Sequence, residues 1–319
     1  MMKVFISAKL PALGTELLDQ AKITYAVYDG PGLISKTELL KQTADCEVLI
    51  CPLSTTVDQA VIDHAPNLKL IANFGAGFNN IASDYAKQKN ILVTNTPLVS
   101  TNATAELTAG LIIALSRRIV EGDRVMHAQG FDGWAPLFFL GHELKGKTLG
   151  IFGMGQIGQS LAEKLSAFGM QILYTQRHRL PAEKEAALQA TFVSKAELLA
   201  QADILTLHAP LTPETTHTLT ADEFAQMKST AFLINAARGP LIDEQALATA
   251  LKNNELAGAA LDVYEFEPNV TAELKTFSNV ILTPHIGNAS VEARDQMAEI
   301  VAKNAIAQLT GGHVEYVVN

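Results

Sequence analysis

The sequence predicts an α/β protein with parallel sheets, organised as two domains. Short apolar runs of strand length alternate with helix-like segments along nearly the whole chain, the pattern of strand–helix–strand units. The chain has 319 residues, enough for two cores rather than one. A glycine-rich turn at residues 153–158 sits between an apolar run and a helical segment, as a tight strand-to-helix passage requires.

In the first part, Val4–Ser7, Thr24–Tyr28, Val48–Cys51, Leu70–Phe74 and Leu92–Thr94 read as strands. Ser35 and Glu38 form a capping-box signature that opens one intervening helix. From about Thr101 to Gln129 the chain reads as one long helix. Its core, Ala105–Leu115, is apolar on most sides and is therefore expected to lie buried between other elements. A second alternation has strands at Leu149–Phe152, Gln171–Tyr174, Thr191–Val193, Ile204–His208, Ala231–Asn235, Gly258–Asp262 and Val280–Thr283. A capping box at Ser194 and Glu197 opens one of its helices. A last helix, about Val291 to Thr310, stops at Gly311 and Gly312, and a strand-like stretch, His313–Val318, follows. There is no internal repeat or low-complexity tract. Two tandem domains fit this pattern, and so does a discontinuous arrangement in which the last helix returns to the first domain.

Composition narrows the function. Hydrophobic residues make up 48% and charged residues 18%, an ordinary globular balance. No apolar run approaches the roughly 18 residues of a membrane span. The N-terminus, Met1 to Ala8, reads as the lead-in to a first strand without the features of a signal peptide. Cys46 and Cys51 flank an apolar run. On one strand they would point to opposite faces, as buried hydrophobes rather than a disulfide or metal pair. These readings describe a reduced, cytoplasmic protein with no metal. The net charge of −9 argues against nucleic acid and anionic lipid as partners. It also leaves the capture of any anionic substrate to local donors.

Three phrases supply groups fit for chemistry. Gly153-x-Gly155-x-x-Gly158 follows a strand and opens a helix, which together suit a dinucleotide pyrophosphate at the N–H groups of Gln156 and Ile157. The next strand ends without the acid that would hold the ribose of NAD. It offers Gln176, Arg177 and Arg179 instead, a set suited to the 2′-phosphate of NADP. NADP is therefore favoured, with NAD as the other possibility. Arg238 ends an apolar strand, where open α/β sheets place ligands, and its planar fork suits a carboxylate. His285 ends another, and a carboxylate beside it, Glu267 or Glu265, would hold its imidazole charged for proton transfer at a carbonyl. The small residues at 75–77 expose backbone N–H groups that suit an anion. Hydride transfer on an anionic 2-oxo acid is the reading these groups share.

With these residues in place, the chain resembles the D-2-hydroxyacid dehydrogenase family along its whole length. The resemblance rests on Thr104-Ala105-Glu106, the glycine turn, His208–Thr212, Asn235–Gly239, Leu261–Pro268 and Pro284–Gly287, in order and spacing. Tyr174–Arg177 and Trp134–Phe138 are most similar to the glyoxylate/hydroxypyruvate reductases. The resemblance implies two Rossmann-like domains with an active site in the cleft between them. Residues 1–98 and 290–319 would form a discontinuous, flavodoxin-like substrate domain, and residues 99–289 the NAD(P)-binding domain. It implies that Arg238 binds the substrate, His285 is the acid/base and Glu267 orients it. Ala76 and Gly77 would donate to the carboxylate, and Asp262 would hold the nicotinamide amide. Thr104, His208, Ala209, Pro210 and Ala236 would line the cofactor cleft. The family is typically dimeric, so a homodimer is implied, with Phe138 reaching the partner's site. Asn288 stands where the reductases have a serine, and Phe74, Phe78, Phe138 and Phe139 could shape a pocket for a bulkier apolar 2-oxo acid. Phosphoglycerate is a further substrate alternative, and a dinucleotide-sensing corepressor or a methyltransferase are the rival readings.

Overall fold

The computed structural model describes residues 3–319; Met1 and Met2, read as the lead-in to the first strand, lie outside them. The chain divides into two compact units, one of residues 1–100 with 288–319 and one of residues 101–287.

The first unit holds β1 (Val4–Ile6), β2 (Tyr25–Val27), β3 (Val48–Pro52), β4 (Leu70–Phe74) and β5 (Leu92–Thr94). They form one parallel sheet in the order β2-β1-β3-β4-β5. Ile6 stands opposite Ile50 in β3 and Val27 in β2. Alternation along each strand splits the apolar side chains between two faces. Val4, Ile6, Val48, Ile50, Leu70 and Ala72 pack beneath the helix Val291–Thr310, through Met297, Ala298, Val301, Ala302 and Ala305. Phe5, Leu49, Cys51, Ile71 and Val93 serve the opposite face. Covering on both faces is why these strands read as unbroken apolar runs.

The second unit holds β6 (Thr148–Phe152), β7 (Gln171–Thr175), β8 (Ala190–Phe192), β9 (Ile204–Leu207), β10 (Phe232–Asn235), β11 (Gly258–Leu261) and β12 (Val280–Leu282). Its parallel order is β12-β11-β10-β9-β6-β7-β8. The chain winds one way from β6 to β8 and the other way from β9 to β12. The two directions part between β6 and β9, which opens a crevice beyond their C-terminal ends. The helix Thr101–Ser116 covers one face with Ala105, Leu111, Ile112 and Leu115, against Leu149, Ile151, Ile234 and Ala260. Leu205, Leu207, Leu233 and Leu261 face the other core. No helix among the described residues is long and apolar enough to cross a membrane.

Three local expectations are corrected. The single helix expected from Thr101 to Gln129 is two, Thr101–Ser116 and Ile119–Ala128, broken at Arg118 with φ +54°. The carbonyl of Ser116 accepts from His142 N–H at 2.8 Å. Arg118 turns back onto Glu121, the Leu140 carbonyl and the Phe139 ring. Only the first helix is buried; the second has no buried residue. The stretch His313–Val318 is no strand but a single bridge between Val317 and Thr94, because Tyr316 has φ +58° and Asn304 takes up Glu315. Cys46 lies before β3 rather than on it, and its thiol joins the same core as Cys51 instead of the opposite face. Both thiols are free, and burial pushes each up to about 12.

Candidate active site

The glycine turn follows β6. Gly153 has φ +99°, and a side chain there would meet the backbone of His208 and Ala209, at the end of β9, within 3 Å. A Cβ on Gly158 would lie 2.5 Å from the Gly153 carbonyl oxygen, so glycine lets the helix Gln156–Ser166 press onto the turn. Gly155 opens onto free space. Being in the first helical turn, the N–H groups of Gln156 and Ile157 have no helical carbonyl behind them. Met154 N–H donates to Gln176 Oε1 at 3.0 Å, which ties the end of β7 to the turn. His208 bonds Thr206 through Nε2 at 2.9 Å, while its buried Nδ1 has no partner among the described residues. Burial lowers its pKa to about 4, so the ring is neutral. An open cradle, free N–H groups and an orphaned ring nitrogen together fit a dinucleotide.

The two arginines after β7 differ in kind. Arg179 grips Glu185 with two bonds, at 2.8 and 2.7 Å, and Glu185 also accepts from the Tyr174 hydroxyl at 2.6 Å. Arg177 is exposed and makes no ion pair among the described residues. Only one of the two cations is therefore free to meet a phosphate.

Arg238 leaves β10 through a turn that the buried Asn235 holds, accepting from Ala237 N–H at 3.0 Å and donating to the Arg238 carbonyl at 2.9 Å. The half-buried guanidinium donates to the Ala237 carbonyl at 2.6 Å and makes no ion pair among the described residues. Burial lowers its pKa, and the nearby Glu267 charge opposes that. His285 Nδ1 lies 3.0 Å from Glu267 Oε2. Burial pushes the Glu267 carboxyl up. The His285 hydrogen bond and charge, the Tyr264 N–H at 3.0 Å and Arg238 outweigh it, and hold the carboxyl below its usual range. The competing acid, Glu265, pairs with His217 instead.

His285 has φ +54°, a region a histidine rarely occupies. Asp262 holds it there. This carboxylate is 1% exposed and accepts from Thr283 Oγ1 at 2.6 Å, Ile286 N–H at 2.8 Å and Gly287 N–H at 2.7 Å. Arg238, Glu267 and His285 thus project from the ends of β10, β11 and β12 within a single unit, with a guanidinium open to an anion beside a group able to give or take one proton.

The comparisons with known proteins agree with this geometry. Residues 109–287 match the family described as D-isomer specific 2-hydroxyacid dehydrogenase, NAD binding domain. The chain belongs to the D-2-hydroxyacid dehydrogenase family. A Staphylococcus aureus (strain MRSA252) relative, named as a 2-hydroxyacid dehydrogenase, is 53% identical over 319 residues, covering 100% of both chains. The Thermus thermophilus TT0316 structure is 38% identical, with TM-score 0.94 and 100% of each chain covered. An NADPH-dependent glyoxylate/hydroxypyruvate reductase of Sinorhizobium meliloti, solved with NADP and malonate, is 30% identical, with TM-score 0.83 and 99% and 96% covered. The protein is a 2-hydroxyacid dehydrogenase, an oxidoreductase that uses a nicotinamide dinucleotide.

Within this dehydrogenase, the 101–287 unit brings together most of the residues singled out in the sequence. Thr104 lies beside Gly287, its Oγ1 3.5 Å from where a Cβ would stand. Ala209 and Ala236 are buried, while Pro210 is exposed and accepts from Thr215. Phe138 stacks on Phe131 at 6.2 Å, in an exposed segment. Ala76, Gly77 and the half-buried Asn288 belong to the other unit. There, Asn73 and Asn95 side chains take the carbonyls of Gly75, Ala76 and Gly77, leaving the N–H groups of Ala76 and Gly77 without a recorded acceptor. The hold of Asp262 on the histidine loop was not legible in the sequence. An Asp followed by an apolar residue carries no signal of bonds that close 21 to 25 residues later.

Glu185 gives this site a measurable pH dependence. Arg179, and then Tyr174, hold its carboxyl at about 2, against an ordinary 4.5. Its contribution to stability is present above 4.5 and is lost as pH falls from there towards 2. In urea unfolding, Glu185→Gln is expected to be less stable than wild type at neutral pH. The gap should begin to close once the pH drops below 4.5; a gap independent of pH would contradict the pairing.

Proposed function

We propose that the protein reduces C2 of a small 2-oxo acid of the glyoxylate or hydroxypyruvate kind with NADPH, giving the D-2-hydroxy acid where the product is chiral. The observation that carries this reading is the half-buried Arg238 guanidinium, with no direct ion pair among the described residues, in the same unit as the His285–Glu267 pair. A cation not already paired there suits a substrate carboxylate. When bound, the nicotinamide dinucleotide supplies the hydride. With Nδ1–H donating to the Glu267 carboxylate, the other ring nitrogen, Nε2, is left to carry the transferable proton. His285 gives that proton to the carbonyl oxygen as the alcohol forms, and takes it back in the reverse direction. Asp262 positions His285, and its recorded bonds leave Oδ2 a further lone pair for the nicotinamide amide. We read the free N–H groups of Ala76 and Gly77 as a carboxylate-binding nest.

Gly153, Gly155, Gln156, Ile157 and Gly158 would hold the pyrophosphate, and Arg177 the 2′-phosphate of NADP. The S. meliloti reductase, solved with NADP, supports this preference. A homodimer is part of the same proposal: Trp134 and Leu137 are 83% and 84% exposed on an arm that also shows Phe131, Phe138 and Leu140 to solvent.

Three measurements test the proposal. His285→Ala is expected to lower kcat about 10²–10⁴-fold with dinucleotide binding retained; near-wild-type turnover would remove His285 from the chemistry. Arg177→Ser should raise KM for NADPH about tenfold or more, the worth of one charge-assisted contact, and leave NADH unaffected. Equal effects on both coenzymes would count against the NADP reading. Sedimentation should find a dimer that Trp134→Ser with Leu137→Ser turns into monomer, and a wild-type monomer would exclude the arm as an interface.

A further inference from the structure

Glu244, Glu265 and His217 form a second cluster of titratable groups in the 101–287 unit, and the chemistry proposed above uses none of them. Glu244 begins the helix Glu244–Lys252 and is 2% exposed. Its Oε1 accepts from Glu265 N–H at 2.6 Å, and its Oε2 from the Thr271 hydroxyl at 2.5 Å and Thr271 N–H at 3.3 Å. Glu265 returns the bond. Its Oε2 accepts from Glu244 N–H at 3.1 Å, and its Oε1 lies 2.6 Å from His217 Nε2. His217 has φ +49°, and its N–H donates to the Pro240 carbonyl at 2.8 Å.

Glu244 therefore grips residues 265 and 271, the two flanks of the loop that carries Glu267. From Glu244 the chain runs back five residues to Gly239, where a Cβ would lie 1.9 Å from the carbonyl carbon and oxygen of Tyr264. The backbone next to Arg238 is thus pressed against the backbone that leads into Glu267, with no room between them. Burying a carboxylate is costly unless its lone pairs are filled, so a loop that employs one gains definition rather than simple stability. Here three donors fill it.

We propose that Glu244, Glu265 and His217 are positioning residues that lock the Arg238 segment to the Glu267 loop and so hold Glu267 against His285. The inference rests on Glu267 and His285 acting as proposed above. Its test must separate geometry from charge, because Glu244, Glu267 and Asp262 all lie near Tyr264, whose phenol is pushed up to about 12 by burial first and then by these acids.

Glu265→Asp and Glu244→Asp keep each charge and shorten its reach by one methylene. In the full-length protein, with NADPH and glyoxylate, each is expected to lower kcat/KM about 10–100-fold, the scale of a displaced catalytic group. The loss should fall mainly on kcat, with KM for glyoxylate within about threefold, as expected when an acid/base pair is misaligned. NADPH affinity should stay within about twofold, since the glycine turn is untouched. His217→Ala, at a half-exposed ring, keeps the test open should the acidic variants fold poorly. It should lower kcat in the same way, and His217→Gln, which still donates an N–H, should restore it. Lower thermal stability with kcat unchanged in Glu265→Asp and His217→Ala would overturn the brace. Glu267→Gln, run alongside, separates the two readings. If it leaves the rate unchanged, the proposed chemistry itself fails. If it is damaging while the brace variants are silent, only the brace fails.

Discussion

The place of His285 at the carboxyl end of the second sheet depends on Asp262. Three donors from residues 283, 286 and 287 converge on this buried carboxylate, and between them His285 is kept in a backbone conformation that costs of the order of 1–3 kcal/mol. Without that grip the loop would relax, and the imidazole would leave Glu267. The chain uses the same device elsewhere. Buried Asn235 shapes the turn that ends in Arg238, and Gln176 ties the end of one strand to the glycine turn. The candidate groups stand on loops, and these loops are fixed by polar side chains bonded to their backbone.

The electrostatics follow the same economy of placement. The chain carries a formal charge of −9, which does nothing to draw an anion inward. What would hold one is local: an arginine with no direct ion pair among the described residues, and glycine-rich segments whose N–H groups are left open. Glu267 stays ionised in spite of its burial because one histidine and one arginine stand near it. His208, with no such neighbours, is simply discharged by burial.

The sheets and the three catalytic candidates were legible in the sequence for a physical reason. Doubly covered parallel strands read as unbroken apolar runs, and the candidate groups stand where those runs stop, as Arg238 and His285 do. What was not legible depends on contacts distant along the chain. The break at Arg118 comes from Ser116 giving its carbonyl to His142 and from Phe139 and Leu140 receiving the arginine; the apolar pattern runs through it unmarked. Cys46 seemed to extend a strand because the apolar run Val48–Cys51 begins two residues later, although the chain is still turning there, with Cys46 N–H on the Thr43 carbonyl. Glu267 was the preferred partner of His285, with Glu265, two residues away, competing by spacing alone; in the structure each acid has its own imidazole. Arg177 and Arg179 looked equivalent, and only the fold gives Arg179 a direct two-bond acid partner.

That last difference bears on how tightly such a protein could come to hold a phosphorylated ligand over evolutionary time. The second arginine is already present after β7, neutralised in place by Glu185. A descendant would not have to acquire a new basic residue. Loss of a single acid would release a second cation beside the first, so a stronger phosphate grip lies one substitution away.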